Sequence, residues 1–471
     1  MDTKRQLVIS TFWTTVARGM SLGSQFISTI VLARILLPSD FAIMGIIMFF
    51  ISISNSIIDS GMGGYLVKKQ NPSDAEFSTM FIFNLSMSII IYLLCFFLSP
   101  SIEKLYSIPN LSVYIRIALI SIIVSSLGIV QNIILLRNYK YVEIAKLTTF
   151  ASIASLGVTI VLAKMGYGIW ALIVQNLSLQ VFVVLLQIYY ARFIPSFSFS
   201  FTYLSGQWRF GSFLLFSHIL QSIFSNILNL VLPRVYSLRF SGLYSQANKL
   251  SQVPISLANN ILSTSSFPVL SQIHDEAHFK QMNSQYSSAI IFASTFIMLF
   301  LSLFSNELVL IVLGAEWIDA SFIFSILCIG GIALIISNIQ RNTLKSMART
   351  RDIFYIEIIR TVLVAIFVLI TYRINEYAII LGFVLSQYLL CAISAYFISR
   401  RMSYSIKEQF MDVLHSTLPS IISFVVVLML YKLDNSIYMI IIYMILYFAI
   451  VLLIDFRFGN KWCTKIMNIF K

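Results

Sequence analysis

The chain of 471 residues is 58% hydrophobic and 11% charged, with a mean hydropathy of +0.88 and a formal net charge of +13. Soluble domains carry about a quarter charged residues, so this composition excludes an ordinary soluble protein and marks a polytopic membrane protein. The basic residues sit in short loops between apolar runs instead of one contiguous stripe, which excludes a nucleic-acid partner.

Taken in order, apolar runs of spanning length fall at about 10–33, 41–66, 77–99, 112–136, 143–164, 168–191, 210–233, 242–268, 284–304, 319–340, 354–373, 377–399, 416–431 and 436–455. The expected fold is therefore all-α, with about fourteen transmembrane helices. The basic start, Met1 to Arg5, is followed by Arg18 and by no small-residue cleavage site, so the first run is expected to stay as a span. Pro38, Pro72, Pro100, Pro109 and Pro195 lie in expected turns, where a missing backbone donor does no harm. The last two runs are short for spans.

An even number of helices puts both termini on one side. With the termini inside, 22 of the 32 Lys and Arg fall in cytoplasmic loops and helix mouths and 8 outside, while Arg18 and Lys249 lie within the membrane. Positive residues gather on the cytoplasmic side, so both termini are expected there. No loop exceeds about 20 residues, which leaves no room for a soluble catalytic domain. Cys95, Cys328, Cys391 and Cys463 have no CxxC spacing and imply neither disulfide nor metal. His274 and His278 are spaced i, i+4 but lack a further ligand cluster, and a solvated loop is the better reading.

The chain also resembles itself. Tyr141-Val142-Glu143-Ile144-Ala145-Lys146 opens the fifth span and Tyr355-Ile356-Glu357-Ile358-Ile359-Arg360 the eleventh. Val31-Leu32-Ala33-Arg34 parallels Val231-Leu232-Pro233-Arg234, and Tyr167 and Gln175 have counterparts in Tyr377 and Gln387. Three matches in the same order, six helices apart, predict two parallel six-helix lobes around a central cleft. The expected division is residues 1–195, 196–402, and 403–471 for two additional helices and a cytoplasmic tail.

Leu32-Ala33-Arg34-Ile35-Leu36-Leu37-Pro38-Ser39-Asp40-Phe41, Asp59-Ser60-Gly61-Met62-Gly63-Gly64 and Tyr167-Gly168-Ile169-Trp170-Ala171-Leu172 together resemble the polysaccharide transporter family. These are the Wzx-type O-antigen and capsule repeat-unit flippases of the multidrug/oligosaccharidyl-lipid/polysaccharide exporter superfamily. Gly242-Leu243-Tyr244-Ser245-Gln246-Ala247, Phe267-Pro268 and Leu313-Gly314-Ala315-Glu316-Trp317 extend the resemblance over roughly residues 8 to 400. It implies translocation of undecaprenyl-pyrophosphate-linked oligosaccharide from the inner to the outer leaflet. The implied partners are that lipid-linked oligosaccharide and membrane lipids, with a polysaccharide polymerase and a chain-length regulator as candidates.

Such a substrate asks for cations at its phosphates and for polar side chains at its sugars. The first span offers Arg18 with Gln25, the seventh His218, Gln221 and Asn226, and the eighth Lys249 and Gln252. A charge such as Arg18 in the apolar zone costs about 2.5–3.5 kcal/mol on insertion scales, so it should face water, substrate or a buried partner such as Asp59. Asp59 is the acid best placed for proton or sodium coupling, with tight packing beside Gly61 to Gly64 as the alternative. Glu143 with Lys146 and Glu357 with Arg360 are i, i+3 pairs that either gate or simply hold the cytoplasmic mouths. No nucleotide loop, metal motif or Ser/His/Asp grouping stands out, so neither cofactor nor enzyme activity is expected. The competing readings are a cation-coupled multidrug or small-solute antiporter, which should centre on carboxylates, and a polysaccharide polymerase or ligase, which should carry a long outer loop.

Overall fold

The computed structural model describes residues 26–59, 72–196 and 219–431, with positions 19, 23, 24, 66, 69, 442, 444–450, 452 and 453. The described residues are helical and contain no strand. In lipid every backbone polar group must be satisfied within its own segment, and helices do this. Among the described residues ten helices are long and apolar enough to cross a membrane. Each coincides with an expected span. Of the other four spans, the first is helical over 26–33, the last is helical over 444–450, and the seventh is the shorter Ile219–Val235 helix. The eighth, Leu238–Ile261, is helical but carries too many polar residues to be among the ten.

The chain forms two compact units, Met1–Ser245 and Gln246–Lys471. In the first, Pro38 opens the Pro38–Asp59 helix, where a missing N–H is no loss, and Asp40 accepts the Leu37 N–H at 3.2 Å. The Asp74–Tyr106 helix follows, with Glu76 reaching back to the Ser73 N–H at 3.1 Å. At 33 residues it is about 50 Å long, well beyond a hydrocarbon core of about 30 Å. Leu111–Ala118, Ile120–Arg137, Tyr141–Lys164 and Ile169–Ala191 complete its expected spans. The Arg137 guanidinium donates to the carbonyls of Leu66 and, at 2.7 Å, Lys69, fixing the chain that enters Asp74–Tyr106.

The Ile219–Val235 helix belongs to this first compact unit. It packs antiparallel to Pro38–Asp59: Asn229 touches the space above Gly45, and Ser222 hydrogen-bonds Ser56 at 2.7 Å and Ser52 at 3.3 Å. Just beyond, a side chain at Gly242 would overlap the Pro38 carbonyl oxygen, so only glycine permits this approach. The contact-defined boundary therefore lies at Ser245, whereas the repeat in the sequence divides the chain at 195.

The 238–261 helix, with Pro254 inside it, carries the chain from the first unit into the second and runs into a π-helical turn at Leu262–Ser266 and a short Phe267–Leu270 helix. Glu276–Leu303 is capped by Asp275, which accepts the His278 N–H at 2.7 Å, and Glu376–Ser399 by Asn375, which accepts the Ala378 N–H at 2.7 Å. Ser305–Val312, Ala320–Ser346, Thr350–Thr371 and Ile406–Tyr431 complete the unit, and Tyr447 stacks on Phe296 at 4.8 Å.

One turn recurs in both units. Tyr139 (φ 54°) and Ala348 (φ 58°) are left-handed, and the next N–H groups, of Lys140 and Arg349, reach back to Leu135 and Leu344 at 3.0 and 2.9 Å. Glu143 and Asp352 are then each the third residue of the following helix. This geometry pairs Glu143 with Asp352 and not with Glu357, so the similarity of the two hexapeptides is displaced by five residues from the matching turn.

Candidate functional site

A membrane helix that is polar along one exposed face needs a reason to be so. On the 238–261 helix, Lys249, Gln252, Ser256 and Asn259 recur at steps of three and four and share one face. Lys249, Gln252 and Asn259 are exposed, while Ala247, Leu250, Ile255 and Ala258 on the opposite side are buried. The face runs on into exposed Ser263, Thr264 and Ser265 of the π turn. Gln252 Nε2 lies 3.5 Å from the Asn248 side-chain oxygen, and Gln246 is fully buried with neither amide atom hydrogen-bonded.

The other expected site residues fare differently. Gln221 is exposed, whereas Asn226 is half-buried, donates to the Ser222 carbonyl at 3.0 Å and is tied into its own helix. Arg18, Gln25 and His218 lie outside the described residues, as does the side chain of Asp59. His274 and His278 are both exposed, but only His274 lies in a loop, His278 being in the first turn of the Glu276–Leu303 helix.

The two expected mouth pairs also part company. Glu143 is half-buried and Lys146 exposed, and no ion pair joins them. Glu357 and Arg360 each retain only 3% side-chain exposure and pair at 3.1 Å. Glu357 has a second cation, Arg341, at 3.0 Å from its other oxygen. Arg341 read in sequence as an ordinary member of the positive cytoplasmic edge. Its only distinctive signal was its position five residues inside the end of an apolar helix.

One ion pair and several hydrogen bonds tie the 400–405 linker to three helices. Arg401 grips Asp352 with two bonds of 2.8 and 2.9 Å, and the hydrogen-bonded carboxylate raises its already high pKa. Glu276 accepts the Ser403 N–H at 2.6 Å, and Lys280 pairs with Glu408 at 2.8 Å. Asp412 accepts from both Ser284 and Tyr404 at 2.5 Å. Burial and then the Asp412 bond push the Tyr404 phenol well above its ordinary range, so it stays a donor.

Ten apolar helices long enough to span a membrane, with an exposed cationic, amide-rich face on a further helix, define a multi-pass membrane protein. Residues 31–322, well over half of the chain, match the family described as "Polysaccharide biosynthesis protein", and the chain belongs to that family of polysaccharide transporters. Among its relatives, lipopolysaccharide biosynthesis protein WzxC of Escherichia coli (strain K12) is 23% identical over 84% of this chain and 82% of its own length. Succinoglycan biosynthesis transport protein ExoT of Rhizobium meliloti (strain 1021) is 24% identical over 65% and 62%. The lipid II flippase MurJ, in an inward closed conformation, has the same fold with a TM-score of 0.76 at 16% identity, covering 95% of this chain and 98% of MurJ. An inward-facing multidrug resistance MATE family transporter matches at 0.59 and 16%, covering 84% and 96%.

Proposed function

We propose that this protein is a flippase that moves undecaprenyl-pyrophosphate-linked oligosaccharide repeat units from the inner to the outer leaflet, for O-antigen, capsule or exopolysaccharide synthesis. It works as a carrier by alternating access, not as an enzyme, with fourteen spans arranged as two parallel six-helix repeats and two additional C-terminal helices. It sits in the bacterial inner membrane with both termini cytoplasmic, and proton or sodium entry drives it through Asp59. The polysaccharide polymerase and the chain-length regulator receive its product.

The observation that carries this reading is the exposed face of Lys249, Gln252 and Asn259 on a helix that lies, along the chain, between apolar helices. An ammonium there favours an anion over an organic cation, and the amides suit sugar hydroxyls. Arg18, Gln25, His218, Gln221 and Asn226 are taken as further substrate-binding residues of the first unit, on the strength of their residue types. The name of the succinoglycan relative, a biosynthesis transport protein, agrees with this direction.

Lys249→Ala tests it. A charge-assisted contact to phosphate is worth about 1.5–3 kcal/mol, so transport should fall by about 10- to 100-fold with membrane abundance preserved. Lipid-linked oligosaccharide should accumulate in the inner leaflet. Normal export by a well-expressed Lys249→Ala protein would remove the helix from the substrate path.

A further inference from the structure

The Arg341, Glu357 and Arg360 cluster has a charge imbalance that packing does not require. One carboxylate faces two guanidiniums, leaving a net positive charge inside a helix bundle. The three members are not equivalent. Glu357 and Arg360 are 3% exposed, but Arg341 is 22% exposed, and its Nε is buried without a hydrogen-bond partner. A partly exposed guanidinium with an unused donor is set to accept a second anion.

Depth narrows the ligand. Arg341 lies five residues before Ser346, the end of its helix, or about 8 Å along the axis. With the termini inside, that is the headgroup level of the inner leaflet. Exposed Lys345 stands one turn further out on the same helix face, with its ammonium 4.7 Å from the centre of the Phe267 ring. Between them Asn342 donates to Ser266 of the π turn at 3.3 Å, so both cations border the segment that continues the polar face of the 238–261 helix.

We propose that Arg341 and Lys345 form a loading site for the diphosphate of a lipid-borne substrate, at the inner-leaflet end of the second unit. The guanidinium fork of Arg341 binds two phosphate oxygens while Arg360 keeps Glu357 neutralised. Arg341 can leave the cluster because a one-to-one ion pair remains behind it. This site rests on the flippase reading, and it is separate from Lys249.

Native mass spectrometry of the purified full-length protein, with undecaprenyl diphosphate and with phosphatidylglycerol as probes, tests it. Arg341→Ala should bind the diphosphate at least about tenfold more weakly, a loss of one charge-assisted bond, and phosphatidylglycerol as the parent does. Arg341→Lys preserves the ion pair with Glu357 and should fall between the two. Unchanged diphosphate binding by Arg341→Ala, or equal binding by the lysine and parent forms, overturns the site. An equal loss of both probes overturns it in favour of a bulk phospholipid contact. Normal export by Arg341→Ala cells would reject the loading site and leave the flippase reading intact; absence of export by the parent protein would reject the flippase reading itself.

Discussion

Replacing Glu357 by glutamine keeps the shape of the side chain and removes the carboxylate that pairs with both Arg341 and Arg360. Two guanidiniums then face each other, one of them with 3% of its side-chain surface exposed. Breaking a buried ion pair costs about 3–5 kcal/mol. Because Arg341 is partly solvated at 22% exposure, the lower end applies. A loss of about 3 kcal/mol lowers the melting temperature of a unit of roughly 200 residues by about 6–12 °C. Intrinsic-fluorescence melting of the purified protein, read beside membrane abundance, measures this. The double variant Glu357→Gln, Arg360→Gln leaves only the partly solvated Arg341 and should recover most of the loss. A single variant that melts within about 2 °C of the parent, or a double variant as unstable as the single, would refute the assignment of the cluster as a charge-coupled unit.

Gly242→Val should depress membrane abundance severely, because its side chain meets the backbone carbonyl of Pro38, which cannot turn aside as a side chain would. Tyr404→Phe should cost about 1–2 kcal/mol by deleting one of two donors to Asp412. The phenol stays protonated at and above neutral pH, so its contribution disappears only as pH rises through the raised value, and the gap between variant and parent melting temperatures should stay level from about pH 6 to 9. If Asp59 binds the driving cation, Asp59→Asn should abolish dependence of export on the ion gradient while substrate binding persists. Equal gradient dependence in variant and parent would assign Asp59 to packing.

The spans were legible because lipid leaves few options: long apolar runs must become helices, and Pro38 and the polar turns mark where they begin and end. Lys249 stood out in the sequence as a charge within an apolar run, and the structure shows its side chain exposed. The partners of Glu357 were only half legible. Arg360 is local, at i+3, but Arg341 comes from a neighbouring helix sixteen residues earlier, and in sequence it is one cytoplasmic-edge arginine among many. The match of Glu143 with Glu357 rests on six similar residues, whereas the left-handed turns at Tyr139 and Ala348 set Glu143 beside Asp352 instead. The close approach at Gly242 was likewise hidden, since Pro38 lies two hundred residues away in the chain.

The central claim is transbilayer movement of a lipid-linked oligosaccharide, and reconstitution measures it most directly. Proteoliposomes containing the purified protein and undecaprenyl diphosphate bearing a labelled oligosaccharide would be probed with a membrane-impermeant reagent that modifies only outward-facing sugar. The account predicts that the protein equilibrates label across the bilayer, that an imposed ion gradient biases it, and that Lys249→Ala slows it by about 10- to 100-fold. A folded parent protein that leaves the label where it was placed, or that instead moves organic cations, would contradict the account.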